Sequence, residues 1–417
     1  MIMHKENNLD ARVLVKQFGS PLYVYDAFKI MQNIKIFKEI PYNNKEICFA
    51  TMCNNNPYIL RLFRRMGVKI FVNSPKHLSI GFKCGFSPQE IVFTSSNLND
   101  ADFDYIIKSR VIFNVDSLGQ LEKYGKLNPS SRVGLRINPL NIILSDNKNV
   151  FIGPNCRLGI LETEIDKAFR IAEKYDLSLN GVHVYLGTNL MDINFFKNGI
   201  EEILRIAKNF TDLEYVDLGG GFGVKSRFHD TEFDMVEYGS MVSEKMHKFS
   251  EIMKRNIKLI LEPGRAMIAD AGYFLTTVID VKERADKIYV GTDSSVDIFP
   301  RPLFYEDAFH EISVYEKNSQ KSLNKPADIC GNTTYSRDII GKDRILPPVC
   351  EGDILIVHNA GGYCYSAITD FLGRLRPAEV LVDKERVVLI NKRESLKPVY
   401  DSRDLNYAQV NRLSRSY

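Results

Sequence analysis

Two short segments carry the residues best suited to chemistry. Asp217-Leu218-Gly219-Gly220-Gly221-Phe222-Gly223 places four glycines behind an aspartate. Bare glycines let backbone N–H groups converge on an anion, as in phosphate cups. Glu262-Pro263-Gly264-Arg265 sets a carboxylate beside another glycine and an arginine. Each segment alone is weak evidence, because a glycine turn without a ligand is at least as common. A third segment, Gly181-Val182-His183-Val184-Tyr185, carries an imidazole and a phenol that point the same way on a strand. A lone histidine in such a place is more often packed core than a working group.

These residues need a scaffold, and short β-branched and aromatic runs supply it. Residues 46–52, 68–73, 91–94, 111–115, 132–138, 179–186, 215–221 and 258–264 read as eight strands. Several are nearly continuous apolar runs, as expected of parallel strands buried on both faces. Residues 56–66, 164–174, 195–209 and 233–255 show the apolar spacing of amphipathic helices. Alternating units of this kind predict a (β/α)8 TIM barrel over residues 27–271, whose functional groups gather at the C-terminal strand ends. The glycine segment and the Glu262 segment then close the seventh and eighth strands, where such barrels commonly bind phosphate. A doubly wound open sheet is the alternative on pattern alone. From residue 272 the texture changes to strands at 273–282, 287–291, 353–358 and 380–390, separated by turns. Residues 1–26 and 272–417 are expected to form an all-β domain, with residues 20–25 adding a strand. The polar tail 401–417 reads as mobile.

Composition narrows the function classes. The chain has 417 residues, 44% hydrophobic and 26% charged, enough for a sizeable core and two domains. Lys+Arg 55 against Asp+Glu 52 leaves +3, too balanced to suggest nucleic acid or a membrane surface as partner. The seven cysteines are scattered and never form a CxxC pair, which argues against a disulfide framework and against a cysteine metal site. The start of the chain is polar, unlike a signal peptide, and a cytoplasmic enzyme is the expectation.

Six segments in this order resemble one family. They are Ser20-Pro-Leu-Tyr-Val-Tyr-Asp26, Gly181-Val-His-Val-Tyr-Leu-Gly-Thr188, Asp217-Leu-Gly-Gly-Gly221, Glu262-Pro-Gly-Arg265, Arg301-Pro-Leu-Phe-Tyr305 and Ala360-Gly-Gly-Tyr363. Together they resemble the fold-type III pyridoxal-phosphate decarboxylases, carbon–carbon lyases with an alanine-racemase-like barrel, and diaminopimelate decarboxylases most of all. The resemblance runs from about residue 18 to about residue 385. It implies pyridoxal 5'-phosphate as cofactor, an amino-acid substrate, and a homodimer that completes each active site across its interface. By the same likeness, Gly219, Gly220, Gly221, Gly264 and Arg265 would hold the phosphate. Glu262 would pair with the pyridine nitrogen, so that the ring accepts electrons. Tyr363 would approach the cofactor from the second domain, and Arg301 and Tyr305 would grip the distal end of the substrate. The bland readings are a surface arginine and a packed aromatic.

The departures from the family pattern matter as much. Phe49-Ala50-Thr51-Met52-Cys53-Asn54 stands where the family has its cofactor lysine, and Met52 takes the lysine's place. A thioether cannot form a Schiff base, so any cofactor would be held noncovalently. The family's partner-donated cysteine and glutamate appear as Thr334 and Tyr335, and its ring-stacking histidine as Tyr185, which can still stack. An engineered Lys→Met change would explain Met52 but not the other three, which favours natural divergence. Lys76 is the nearest candidate for a replacement amine, against the plainer reading of a solvated lysine.

Several functions remain compatible with these residues. One is a divergent decarboxylase that holds its cofactor noncovalently and acts on an amino acid with a polar or carboxylate distal group. Another is a pseudoenzyme that keeps the fold and binds without chemistry. A third is a repurposed cofactor site. A nicotinamide dehydrogenase is disfavoured, because its glycine fingerprint should open the first βα unit rather than close the seventh strand.

Overall fold

A computed structural model describes residues 10–142, 149–305, 308–317, 322–384 and 386–396. The tail 401–417 lies outside the described residues. The chain divides into two compact units. One comprises Ala27–Ala271 and Gly361–Ser366, the other Met1–Asp26, Gly272–Ala360 and Ala367–Tyr417.

The second of these units opens with α1 (Ala11–Phe18), capped by the Asp10 carboxylate on the Arg12 N–H, and β1 (Leu22–Asp26). The first unit begins with α2 (Ala27–Lys38) and continues as alternating strands and helices. Its strands are β2 (Lys45–Ala50), β3 (Lys69–Val72), β4 (Ile91–Ser95), β5 (Ile112–Val115), β6 (Arg132–Asn138), the short β7 (Ile160–Leu161), β8 (Ser178–His183), β9 (Tyr215–Asp217) and β10 (Lys258–Leu261). Between them run α3 (Pro57–Arg65), α4 (Pro75–Lys83), α5 (Asp100–Ser109), α6 (Leu118–Leu127), α7 (Ile165–Lys174), α8 (Ile193–Ala207) and α9 (Met235–Met253), and α10 (Arg265–Ile268) follows β10. The strands pair in the order β5-β4-β3-β2-β10-β9-β8-β6, and β5 pairs with β6 to close the ring. Every pairing around it is parallel. This is the closed eight-stranded barrel expected from the sequence, not the open sheet.

The barrel interior is packed around one tyrosine. A Cβ on Gly181 would lie 1.9 Å from Tyr215 Cζ, and one on Gly134 2.2 Å from the Tyr215 hydroxyl. Two glycines, on β8 and β6, thus make room for a ring from β9, whose hydroxyl donates to Asn114 Oδ1 at 2.6 Å. Cys48, Val92 and Ile260 complete this layer. The glycine-bearing strand ends stop earlier than expected, β9 at Asp217 and β10 at Leu261. Gly219 has φ +66, which no strand accommodates, so the chain leaves the sheet there.

The other unit is one nine-stranded sheet. Its long β11 (Gly272–Glu283) pairs with β1 and, past a bulge at Val278/Asp280, with β12 (Ile288–Thr292). The short α11 (Arg301–Phe304) precedes β13 (Ile312–Val314), β14 (Ala327–Cys330), β15 (Ile339–Arg344) and β16 (Ile354–Val357). The single strand expected at 380–390 is a hairpin instead, β17 (Ala378–Asp383) and β18 (Arg386–Asn391). Its turn begins at Lys384, which takes φ +56 without the glycine that would have signalled it. Leu22, Val24, Leu275, Ile356 and Val380 form the core of this sheet, with Ala11 and Leu14 of α1 packed among them. No helix among the described residues is long and apolar enough to cross a membrane.

Candidate cofactor site

Because the barrel strands are parallel, the residues that follow β2, β8, β9 and β10 share its C-terminal mouth. Asp217 ends β9 and turns the chain: its Oδ1 accepts the Gly219 N–H at 2.9 Å. The three glycines then pass close to neighbouring backbone. A Cβ on Gly219 would lie 2.4 Å from the Val184 carbonyl, one on Gly220 2.3 Å from that of Glu262, and one on Gly221 2.2 Å from that of Gly187. Gly219 thus spends its amide inside the protein. The Gly220 and Gly221 N–H groups donate to nothing among the described residues.

Glu262 follows β10 and is buried. Its Oε2 lies 3.3 Å from His183 Nε2 at the end of β8, while its Oε1 is buried with no hydrogen-bond partner among the described residues. Burial pushes the Glu262 carboxyl up to about 8 and Asp217 well above the carboxylate range. Burial also lowers His183 to about 4, so its ring is neutral at pH 7. Arg136 of β6, a cation that acts on Glu262, is itself paired with Asp116 at 3.2 Å.

Tyr185 is two residues beyond His183, outside the strand. Its hydroxyl is 2.6 Å from Thr188 Oγ1, and its ring stacks on Phe151 with centroids 6.0 Å apart. Met52 lies half-buried in the turn after β2. That turn is tied down from both sides: Thr51 N–H donates to the Phe71 carbonyl at 3.0 Å, and Ser366 Oγ to the carbonyls of Met52 and Cys53. Tyr363 belongs to the barrel unit. Its φ is +58, a left-handed conformation uncommon outside glycine, and its N–H donates to the Cys53 carbonyl at 2.8 Å. The Arg265 guanidinium stands 5.0 Å from the centre of the Tyr363 ring. Gly264 is pressed among these groups, since a Cβ there would meet the Tyr363 hydroxyl at 3.0 Å and Cys53 Cβ at 3.1 Å.

The structure therefore gathers Met52, Tyr185, Gly219, Gly220, Gly221, Glu262, Gly264, Arg265 and Tyr363 in one unit. Arg301, Tyr305, Thr334 and Tyr335 belong to the other. There the Arg301 guanidinium is 5.7 Å from the Tyr305 ring centre, and its Nε is buried with no partner among the described residues. Thr334 is exposed, and Tyr335 packs edge-on to Phe371 at 5.5 Å. Asp338 pins their turn by accepting from Thr333 Oγ1 at 2.6 Å and from its N–H. Lys76 is exposed in the first turn of α4. Sequence reasoning missed two features. It quoted Asp217 only as part of a glycine motif and weighed His183 only as core. It also passed over Asp116, which accepts from Ser96 Oγ, the Gly159 N–H and Arg136.

The model of the pyridoxal-dependent decarboxylase family's pyridoxal binding domain matches residues 29–269 of the chain. The chain belongs to the pyridoxal-dependent decarboxylases. As a member of that family it is 30% identical over 396 residues to diaminopimelate decarboxylase from Methanothermobacter thermautotrophicus, covering 93% of this chain and 92% of the relative. It is also 30% identical to the Neisseria meningitidis serogroup A enzyme of that name, over 92% of this chain and 95% of that one. A crystal structure of diaminopimelate decarboxylase superposes with TM-score 0.89 at 26% identity, covering 97% and 99% of the two chains. The Helicobacter pylori enzyme complexed with L-lysine gives 0.84 at 26% identity, covering 94% and 98%. Those relatives are lyases, and pyridoxal phosphate is the cofactor of this decarboxylase family. The residues present suit that group: Glu262 Oε1 is a buried acceptor with no partner of its own, beside glycine turns with free amides. The exception is Met52, which offers no amine.

Proposed function

We propose that the chain binds pyridoxal phosphate noncovalently and removes the α-carboxylate of an amino acid with a polar or carboxylate distal group. The observation that carries this reading is the partnerless Oε1 of buried Glu262, an acceptor suited to a ring N–H. Bound pyridoxal phosphate supplies a protonated ring that takes up the electron pair left at Cα as carbon dioxide departs. Glu262 holds the proton at the ring nitrogen. The Gly220 and Gly221 amides, with Gly264 and Arg265, bind the phosphate. Tyr185 would stack on the cofactor and exclude water from it, and Tyr363, beside Arg265, would contact the same group. Arg301, with its partnerless Nε, and Tyr305 beside it are the candidates for the distal group. A relative solved with L-lysine, the amino acid left when diaminopimelate loses one carboxylate, makes diamino acids the first substrates to try.

Met52 favours a second reading, a homodimeric binding protein that keeps the cup and does no chemistry. Without a lysine, product release depends on hydrolysis or on another amine, which slows turnover. The test is release of carbon dioxide from a panel of amino acids, with and without added pyridoxal phosphate. Cofactor-dependent release from any of them supports the decarboxylase. Cofactor binding without release supports the second reading, and neither binding nor release removes both.

A further inference from the structure

Asp217 is fully buried and takes no part in holding the cofactor. Asp217 has Oδ1 on the Gly219 N–H and Oδ2 with no partner. Glu262 has Oε2 on His183 and Oε1 with no partner. One oxygen or nitrogen from each of His183, Asp217 and Glu262 lies within 4.8 Å of the others. The other ionisable groups coupled to Asp217 or Glu262 are Cys48 of β2, Tyr215 of β9, Tyr185 after β8 and Arg136 of β6. Arg136 is the only cation among these, and it is already paired with Asp116.

We propose that Asp217 is a positioning residue: it keeps a proton on Oδ2 and directs it at Glu262, which leaves Glu262 to carry the charge facing a pyridine ring. This rests on the cofactor reading of Glu262. Two buried carboxyl groups this close, with no free cation between them among the described residues, cannot both ionise. A ring N–H at Oε1 draws the charge onto Glu262. Asp217 has no equivalent cation among the described residues and retains its proton, in keeping with burial raising it well above the carboxylate range. The Asp217 O–H then donates to the Glu262 carboxylate and fixes its orientation, and His183, neutral, braces the other oxygen.

The infrared spectrum of the cofactor-free protein tests the proton directly. A protonated-carboxyl stretch that moves when the protein is labelled with carboxyl-13C aspartate, and that Asp217→Asn removes, is expected; its absence at pH 7 overturns the proposal. Binding of pyridoxal phosphate tests the role. Asparagine keeps a donor toward Glu262 and an acceptor for Gly219, so Asp217→Asn should bind within about threefold of the unaltered protein, and Asp217→Ala at least about tenfold more weakly. If asparagine is as damaging as alanine, Asp217 works as an anion and the proposal is wrong. If the unaltered protein binds no pyridoxal phosphate, the cofactor reading fails, while the infrared result still decides the proton.

Discussion

His183 Nε2 lies 3.3 Å from Glu262 Oε2, a contact that joins the ends of β8 and β10 and leaves Glu262 Oε1 as a buried acceptor waiting for a donor. In a barrel whose cofactor lysine position holds Met52, that single oxygen becomes the main electrostatic anchor for a ring. Glu262→Gln should therefore weaken pyridoxal phosphate binding at least about tenfold, the scale of one lost hydrogen bond to a charged group. Titration by absorbance measures it, and unchanged affinity would show that the ring does not rest on Glu262.

The same pair sets a pH dependence in the cofactor-free protein. His183 is lowered from 6.5 to about 4, so its contribution to stability is complete above pH 6.5 and is lost as pH falls toward 4. Glu262 is raised from 4.5 to about 8, so its contribution is present below pH 4.5 and is lost as pH rises through 8. Between pH 6.5 and 8 the Glu262 effect stands alone of the two, and Tm should fall across that window. Glu262→Gln should lessen the fall and leave the share of Asp217, which burial also raises well above the carboxylate range. A Tm that climbs from pH 6.5 to 8 in the unaltered protein would contradict this.

Much of this was legible beforehand. Apolar runs such as Ile91–Thr94 announce buried parallel strands whatever lies around them, and a triple glycine after Asp217 can serve few purposes. The Asp217–Glu262–His183 cluster was not legible, because it depends on three strands being neighbours in a closed ring. Nor were β13, β14 and β15, which are short or, like Ile339–Arg344, carry glycine and charges through their length. Val380 to Ile390 looked like one strand because both arms of the hairpin are apolar and no glycine marks the turn.

Gly220→Ala tests how tightly the cup is built. The new Cβ would sit 2.3 Å from the Glu262 carbonyl, a backbone atom that cannot swing aside. Urea denaturation should show a loss of about 1–3 kcal/mol. An unaltered midpoint would mean the loops after β9 and β10 have room for a Cβ at this position.

Arg136→Leu removes the partner of buried Asp116. Breaking such a pair costs about 3–5 kcal/mol, and the lower end is expected because Asp116 keeps Ser96 and the Gly159 N–H. A change within noise in the same denaturation experiment would show that these remaining bonds suffice.

Met52→Lys returns an amine to the turn after β2. Borohydride should then trap pyridoxal phosphate on this residue, detectable as a mass increase on the peptide containing position 52. Trapping elsewhere, or none, would show that the turn does not face the cofactor. If trapping occurs without any decarboxylation, the binding-protein reading gains.

The most direct measurement is the absorbance spectrum of the purified protein with added pyridoxal phosphate, taken before dialysis, after dialysis and after borohydride. A bound chromophore that dialysis removes and borohydride does not fix to the chain is expected. A chromophore that borohydride fixes to a lysine of the unaltered protein, or no bound chromophore at all, would contradict noncovalent binding.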